Sequence, residues 1–202
     1  MALALNKTTL KQQRDQLKTF KRFLPSLDLK RQQLLAALKV ARRQLAEVRQ
    51  EFDAVENSLR QLYPLLGSST VATRDLGGLV GIREVKIGEE NMLGTTLPVA
   101  EKVEFETSEY SYQVMPFWVD LLVQDIRRVA ELRVLLQVAQ ERVVLLEHAS
   151  RRITQRVNLF EKVLIPQAEQ NVRKIVIFLS DQERAAVVRS KIAKKKNSEA
   201  QR

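Results

Sequence analysis

Residues 10–62 read LKQQRDQLKTFKRFLPSLDLKRQQLLAALKVARRQLAEVRQEFDAVENSLRQL, and the spacing of the apolar residues in this stretch decides the fold. Alternating steps of three and four lead from Leu10 to Leu62, and fourteen of the sixteen positions are apolar. This heptad spacing is typical of a helix whose narrow apolar stripe, its seam, packs against another helix. The stretch therefore predicts a long coiled-coil helix, with seam residues that include Leu38, Leu45, Val48 and Phe52.

Two prolines bear on the bounds of this first helix. The seam keeps its phase across Pro25, so we expect a kink there rather than two unrelated helices, with Ser26 and Asp28 as capping residues of the restart. A residue before proline avoids the α region, so the helix is predicted to end near Tyr63, just before Pro64. The N-terminal coiled-coil segment is then residues 1–63.

A second seam begins at Trp118 and is apolar at twelve of its fourteen positions as far as Leu164. Its central residues include Leu136, Val143, Leu146 and Ile153. After Leu164 the steps become 4-4-3-4, a stutter that coincides with Pro166 and predicts a bend. Residues 117–202 are therefore predicted to form a C-terminal coiled-coil helix with a basic tail.

Residues 64–116 differ from both arms, since they contain all six glycines of the chain. The stretches 79–87 and 97–105 are rich in β-branched residues that alternate with polar ones in places, which predicts two short strands joined by a turn over 88–94. A two-stranded hairpin is only marginally stable alone, so we expect it to pack on the helices or on another protein.

Two long helices on either side of a chain reversal predict a mainly α fold, a long antiparallel two-helix coiled coil with a small central β-hairpin region. Residue i of the first helix should lie opposite about residue 180 − i, a register that follows from the lengths of the two arms. On this register the second helix has no partner in the chain beyond about residue 171, yet Val172, Ile175 and Leu179 continue the apolar stripe. An apolar stripe without a partner predicts a protein-binding surface.

The formal net charge of +10 is divided unevenly along the chain, with +7 in residues 7–63, −4 in 64–116 and +7 in 117–202. A basic excess is typical of proteins that bind nucleic acid, anionic membranes or acidic proteins. In both arms, however, the basic residues are interleaved with seam residues and acids, which favours solvated coiled-coil faces. The residues alone leave open a free-standing antiparallel coiled-coil scaffold or a basic nucleic-acid-binding helical protein.

Few residues suit catalysis or metal binding. The chain has no cysteine, and its one histidine, His148, has no neighbouring ligands with which to form a metal site. Asp125 lies in the seam, where a register-setting polar residue is more typical than a catalytic acid. We therefore expect no catalytic, cofactor-binding or metal-binding residue. The apolar runs are far shorter than a membrane span and the start lacks a signal-peptide pattern, so we expect a cytoplasmic protein.

Three segments carry a family resemblance. Leu27-Asp-Leu-Lys-Arg-Gln-Gln-Leu34, Asn91-Met-Leu-Gly94 and Arg156-Val-Asn-Leu-Phe-Glu-Lys-Val-Leu-Ile-Pro166 resemble segments of the D subunit of V-type ATPases and ATP synthases. The resemblance covers nearly the whole chain, with the order of helix, hairpin and helix intact. The stretch around Pro25 looks closer to the bacterial members of the family.

The resemblance implies a role as the central rotor shaft of a V-type proton- or sodium-translocating ATPase or ATP synthase. Such a shaft is not itself catalytic, because the nucleotide sites belong to the hexamer of A-type catalytic and B-type nucleotide-binding subunits. The paired termini would lie inside that hexamer, and the central portion would meet the small F subunit of the stalk and the socket subunit on the proteolipid ring. The protein would be peripheral to the membrane through the complex, with no cofactor and no direct contact to nucleic acid.

Two groups of residues are the candidate partner-binding sites. The first is the stripe of the second helix with the basic residues along it, which we expect to meet the inner loops of the hexamer: Val172, Arg173, Lys174, Ile175, Leu179, Arg184, Arg189 and Lys191. The second lies in the hairpin, which is expected to serve a partner: Glu89, Glu90, Met92 and Leu93.

Overall fold

The computed structural model describes residues 3–68, 79–107, 116 and 118–200. The elements follow in the order α1 (Lys7–Ser68), β1 (Val80–Met92), β2 (Thr95–Thr107), α2 (Trp118–Leu159), a π-helical turn (Phe160–Leu164) and α3 (Ile165–Ala200). The predicted mainly α fold, with a hairpin between two long helical arms, is confirmed. The chain forms two compact units. The terminal unit contains α1 as far as Arg31 and the chain from Arg152 onward, and the central unit contains Gln32–Arg151.

The predicted seam is the buried face of α1. The helix begins after Asn6, whose side-chain Oδ1 accepts a hydrogen bond of 2.6 Å from the backbone N–H of Thr9 and so caps the first turn. Each of the sixteen seam positions from Leu10 to Leu62 is at least partly buried. Leu34, Leu38 and Ala41 are buried most deeply.

α1 passes through both prolines. At Pro25 the helix is unbroken, and the Ser26 hydroxyl donates to the carbonyl of Phe23 at 2.8 Å instead of capping a new helix. Asp28 pairs with Arg31 on the same helix and does not cap one either. The predicted end near Tyr63 is wrong, since α1 continues to Ser68. A proline close to a helix end removes one backbone donor, which the packing of the preceding turns outweighs.

In the terminal unit, α1 runs antiparallel to the second arm. The rings of Phe20 and Phe160 meet edge to face with centroids 5.4 Å apart, which is the predicted register. Nearer the start of α1, Gln13 accepts a hydrogen bond of 3.1 Å from Asn171. Lys7 lies 3.9 Å from Glu183, so α1 accompanies the second arm well past residue 171.

The π-helical turn coincides with the predicted stutter. The backbone N–H of Ile165 donates to the carbonyl of Phe160, five residues back, and Pro166 follows without an N–H to donate. The wider turn accommodates the extra residue of the stutter, so that Ala168 and Ile175 are both buried. The bend predicted at this place stays a prediction.

In the central unit, α1 and α2 are also antiparallel. Arg42 pairs with Glu147 at 2.6 Å, and Glu51 pairs with Arg128, the latter close to the predicted register. A buried apolar cluster connects the end of α1, the start of β1 and the start of α2. It consists of Leu79, Trp118, Val119, Leu122 and Val123, with Leu59, Leu62, Val80 and Ile126 packed against it.

The hairpin in the central unit is longer than the sequence predicted. β1 and β2 pair antiparallel from Val80 opposite Thr107 to Met92 opposite Thr95, so the turn is Leu93–Gly94 alone. The predicted turn over 88–94 is therefore wrong, because Glu89, Glu90 and Asn91 pair with β2 and continue the strand. Register shifts after Ile82 and after Lys86 mark a bulge in each strand.

Candidate partner-binding sites

The tip of the hairpin is a tight two-residue turn with an unusual backbone conformation. Leu93 and Gly94 have φ values of 55° and 78°, and two positive φ values in succession match the twist of paired strands. Asn91 Oδ1 accepts a hydrogen bond of 2.9 Å from the Gly94 N–H. A leucine in the left-handed region costs about 1–2 kcal/mol. Backbone strain of this kind clusters at functional sites, so the exposed Leu93 stays a candidate contact residue.

Glu90 and Arg142 hold the hairpin against α2. The Arg142 guanidinium donates to Glu90 Oε2 at 3.0 Å and to the carbonyl of Pro98 at 3.2 Å. One side chain on α2 thus binds both strands. Glu90 therefore has a contact inside the chain that its prediction as a partner-binding residue did not foresee.

The other predicted hairpin residues lie at the same end of the sheet. Glu89 and Leu93 are exposed, and Met92 is partly buried. Leu97, opposite Glu90, is fully buried. The hairpin therefore presents Leu93 and Glu89 to solvent, with Glu90 and Leu97 fixing the strands behind them.

The predicted stripe on the second arm is covered inside the chain. Ile175 is 0% exposed, and Val172 and Leu179 are partly buried. The prediction that this stripe has no partner in the chain beyond residue 171 is wrong. Lys7, at the start of α1, lies 3.9 Å from Glu183, so the first turns of α1 lie beside the second arm past residue 171. The register that the arm lengths predict holds at Phe20 and Phe160 but not at the start of α1, so one register does not describe the whole terminal unit.

The basic residues predicted beside the stripe are all exposed: Arg173, Lys174, Arg184, Arg189 and Lys191. Arg184 lies 4.0 Å from Asp181, one turn earlier on α3. Every residue in 181–197 is exposed, and this segment contains six basic and two acidic side chains. It also exposes Val187, Val188 and Ile192, each by more than half. We call 181–197 the basic tail segment.

Ion pairs between the arms shift the pKa values of several charged side chains. In the terminal unit, the hydrogen bond from Lys21 lowers the pKa of Glu169, and the charge of Arg173 acts in the same direction. In the central unit, the hydrogen bond from Arg42 lowers the pKa of Glu147. The pKa of Arg128 is raised, chiefly by its hydrogen bond to Glu51 and then by that to Glu131. The side chains in these pairs are exposed or only partly buried, so each pair contributes modestly to stability and is weakened by salt.

Two features of these surfaces are not among the residues predicted from the sequence. Arg142 is one, because nothing in the local pattern of α2 indicates a hairpin packed beside it. The other is the set of Val187, Val188 and Ile192, although their apolar side chains among basic residues are a signal that the sequence offers.

Within the described part of the chain, no group of three or more His, Asp or Glu side chains is placed to hold a metal ion. His148 is exposed and Asp125 is partly buried. Among the same described residues, no helix is both long enough and apolar enough to cross a membrane.

The chain matches a known protein family over nearly its whole length. Residues 9–195 match the family of ATP synthase D subunits. The V-type ATP synthase D subunit of Borreliella burgdorferi is 34% identical over 192 residues, which cover 95% of this chain and 93% of the relative. That of Chlamydia muridarum is 32% identical over 194 residues, 96% of this chain and 95% of the relative. The chain therefore belongs to the family of ATP synthase D subunits, the central-stalk subunits of V-type ATPases.

Proposed function

We propose that this chain, a central-stalk component of a V-type ATPase, works as the rotor shaft of its complex. In this role it couples ATP hydrolysis or synthesis in the catalytic hexamer to rotation of the membrane ring, which translocates protons or sodium ions. The chain itself is not catalytic. The nucleotide chemistry belongs to the A-type catalytic and B-type nucleotide-binding subunits.

The observation that supports this proposal most strongly is the side-chain pairing of the two arms in both units. A shaft transmits torque only if its helices resist twisting about each other. The ring contact of Phe20 with Phe160 in the terminal unit, and the Arg42–Glu147 pair in the central unit, join residues more than 100 positions apart in sequence. The buried seam beneath these contacts supplies apolar packing, at about 1.5–3 kcal/mol for each fully buried aliphatic side chain.

The basic tail segment is the part that we assign to the hexamer. Its six basic side chains and its exposed valines suit a collar of polar or acidic loops, where diffuse charge tolerates rotation better than one fixed bidentate contact. Arg173 and Lys174 are exposed on the same helix and extend this surface toward the π-helical turn. Of the predicted stripe, Ile175 contributes to this site only by supporting the helix, because it is buried in the chain.

The central unit is the part that we assign to the small F subunit of the stalk and the socket subunit on the proteolipid ring. Two features support this. The strained Leu93 presents an apolar side chain at the hairpin tip. A groove of about 470 Å³ lies between α1, β2 and α2, with Val48, Val99 and Leu135 among its lining residues. We place the protein in the cytoplasm, at the membrane surface through its complex.

Co-purification tests the assignment. The full-length chain, co-expressed with the A-type, B-type and F subunits, should be recovered in a stoichiometric complex that hydrolyses ATP. A chain that ends at Phe178 lacks the basic tail segment and should bind the hexamer at least tenfold more weakly, while its helicity changes only in proportion to the residues removed. A chain whose residues 80–107 are replaced by a short linker is the matched control, since it keeps the tail and should still bind the hexamer. Unchanged hexamer binding and hydrolysis after the truncation would contradict the proposal.

A further inference from the structure

The outer edge of β1, in the central unit, is a strand edge that the proposed function does not use. The hairpin is a two-stranded sheet in the described part of the chain. β2 has contacts inside the chain, because Leu97 is buried and the Pro98 carbonyl accepts a hydrogen bond from Arg142 on α2. β1 is open to solvent, and it exposes Ile82 by 49%, Val85 by 36% and Ile87 by 55%. An exposed edge strand rich in β-branched residues is a template for pairing with another strand.

The direction of the peptide groups along β1 follows from its partner strand. Pro98 lies opposite Glu89 and has no N–H, and its carbonyl turns to Arg142, so this pair does not exchange backbone hydrogen bonds. The peptide groups of Glu89 therefore point to the outer edge. Because the direction alternates along a strand, those of Ile87 and Val85 point outward as well. No backbone hydrogen bond to this edge is found among the described residues.

The hairpin places like charges opposite each other at two positions of its paired strands. Glu84 lies directly opposite Glu104, and Lys86 lies directly opposite Lys102. Like charges in opposed positions destabilise a strand pair. Pairs along each strand offset this in part, with Glu84 and Lys86 3.7 Å apart on β1 and Lys102 and Glu104 2.7 Å apart on β2.

The same charges are complementary when two copies of β1 meet edge to edge. In an antiparallel pair with its two-fold axis at Val85, the two valines exchange backbone hydrogen bonds through their outward peptide groups. Glu84 of each copy then lies opposite Lys86 of the other, which gives two opposite-charge pairs at once. We propose that the outer edge of β1 is a self-association site, at which a second copy of the isolated chain pairs antiparallel about Val85.

The extent of this pairing is limited by the bulge in β1. The register shift after Ile82 leaves Arg83 without a direct partner on β2, and a bulge bends the strand. The pairing therefore covers only the short stretch of each copy from Arg83 to Ile87. A contact of this size gives a reversible dimer of the free chain.

A unique cysteine tests the position of the two-fold axis, since the chain has no cysteine of its own. In the full-length chain, Val85→Cys places two thiols across the axis, with the Cα atoms about 5.5 Å apart, a separation that a disulfide spans. Mild oxidation should convert most of this variant to a covalent dimer. Glu89→Cys is the matched control on the same edge. Its thiols would lie about eight positions apart along the paired strands, roughly 27 Å, and should not cross-link.

Charge reversal tests the chemistry of the pairing. Glu84→Lys turns both intermolecular pairs repulsive. Inside the hairpin it replaces the like-charge pair of Glu84 and Glu104 with an opposite-charge pair, so we expect the fold to be preserved. Sedimentation equilibrium of the full-length chain should show dimerisation about tenfold weaker than that of the wild type. The double variant Glu84→Lys/Lys86→Glu restores opposite charges between the copies and should recover the wild-type dimer.

Three results would overturn the proposal. The first is a full-length chain that stays monomeric at every concentration tested. The second is a dimer that both Glu84→Lys and the double variant leave unchanged. The third is a β1 edge whose amides become protected from hydrogen exchange only when the other ATPase components are added, which would assign the edge to one of those components.

Discussion

The Arg42 Nη2 and Glu147 Oε1 atoms lie 2.6 Å apart although the two residues are 105 positions apart in sequence. This ion pair joins α1 to α2 in the central unit. It lowers the pKa of Glu147, as the hydrogen bond from Lys21 lowers the pKa of Glu169 in the terminal unit.

These lowered pKa values make stability depend on pH. A carboxyl group whose pKa is lower in the folded state than its unfolded value near 4.5 adds stability above that value, and this stability is lost as the pH falls through the folded pKa. The melting temperature should therefore fall as the pH is lowered below about 4.5. In the Glu147→Gln/Glu169→Gln double variant this fall should be shallower, by a small amount because both carboxyl groups are only partly buried. Identical slopes over this range would show that the pairs are not formed in solution.

Leu34 and Leu35 provide a paired test of the seam. Leu34 is 1% exposed and Leu35 is 47% exposed, although they are neighbours on the same helix. Leu34→Ala leaves a cavity at the helix interface and should lower the free energy of unfolding by about 2–5 kcal/mol, measured by urea denaturation. Leu35→Ala should change it by less than about 0.5 kcal/mol. If the two substitutions had equal effects, the assignment of the buried face would be incorrect.

Arg142 should control the stability of the hairpin. Arg142→Ala leaves the Glu90 carboxylate and the Pro98 carbonyl without the guanidinium that binds them. The opening free energy of the β2 amides should fall by about 1 kcal/mol, since the pair is partly solvated, which is roughly fivefold faster hydrogen exchange. Arg133→Ala, at an exposed position of the same helix, is the control and should leave this exchange unchanged. Equal exchange in both variants would mean that other contacts hold the hairpin.

Leu93 should lower the stability of the hairpin while strengthening its binding to a partner. Asparagine tolerates the left-handed region better than leucine does, so Leu93→Asn should stabilise the turn by about 1 kcal/mol and slow the exchange of nearby strand amides. Because we propose that the Leu93 side chain contacts a partner, the same variant should bind the other stalk components more weakly. Thr96→Asn, an exposed substitution in β2, is the control. If Leu93→Asn binds these components as tightly as the wild type does, the hairpin tip is not part of the interface.

The seam could be predicted from the sequence because burial on a paired helix has a fixed period. Leu34, Leu146 and Ile153 lie on the face that the heptad spacing assigns to them, and all three are buried. The order of helix, hairpin and helix follows from the glycines of residues 64–116. The family is also evident from short segments such as Asn91–Gly94.

Other features depend on contacts that the local sequence does not encode. Pro64 is expected to end α1, but the proline lies close enough to the end for the helix to absorb the lost hydrogen bond. Glu89 and Glu90 are expected in a turn, but their pairing with Pro98 and Leu97 extends the strand. The contact of Arg142 with the hairpin links residues that only tertiary packing brings together.

Single-molecule rotation tests most directly whether this chain turns inside its complex. Glu89 is exposed on the hairpin, and because the chain has no cysteine, Glu89→Cys gives a single attachment point for a bead or gold particle. With the catalytic hexamer fixed to a surface, addition of ATP should drive stepwise rotation of the particle in one direction, at a rate that follows ATP hydrolysis. A particle that stays fixed while the hexamer hydrolyses ATP would contradict the proposed role as a rotor shaft.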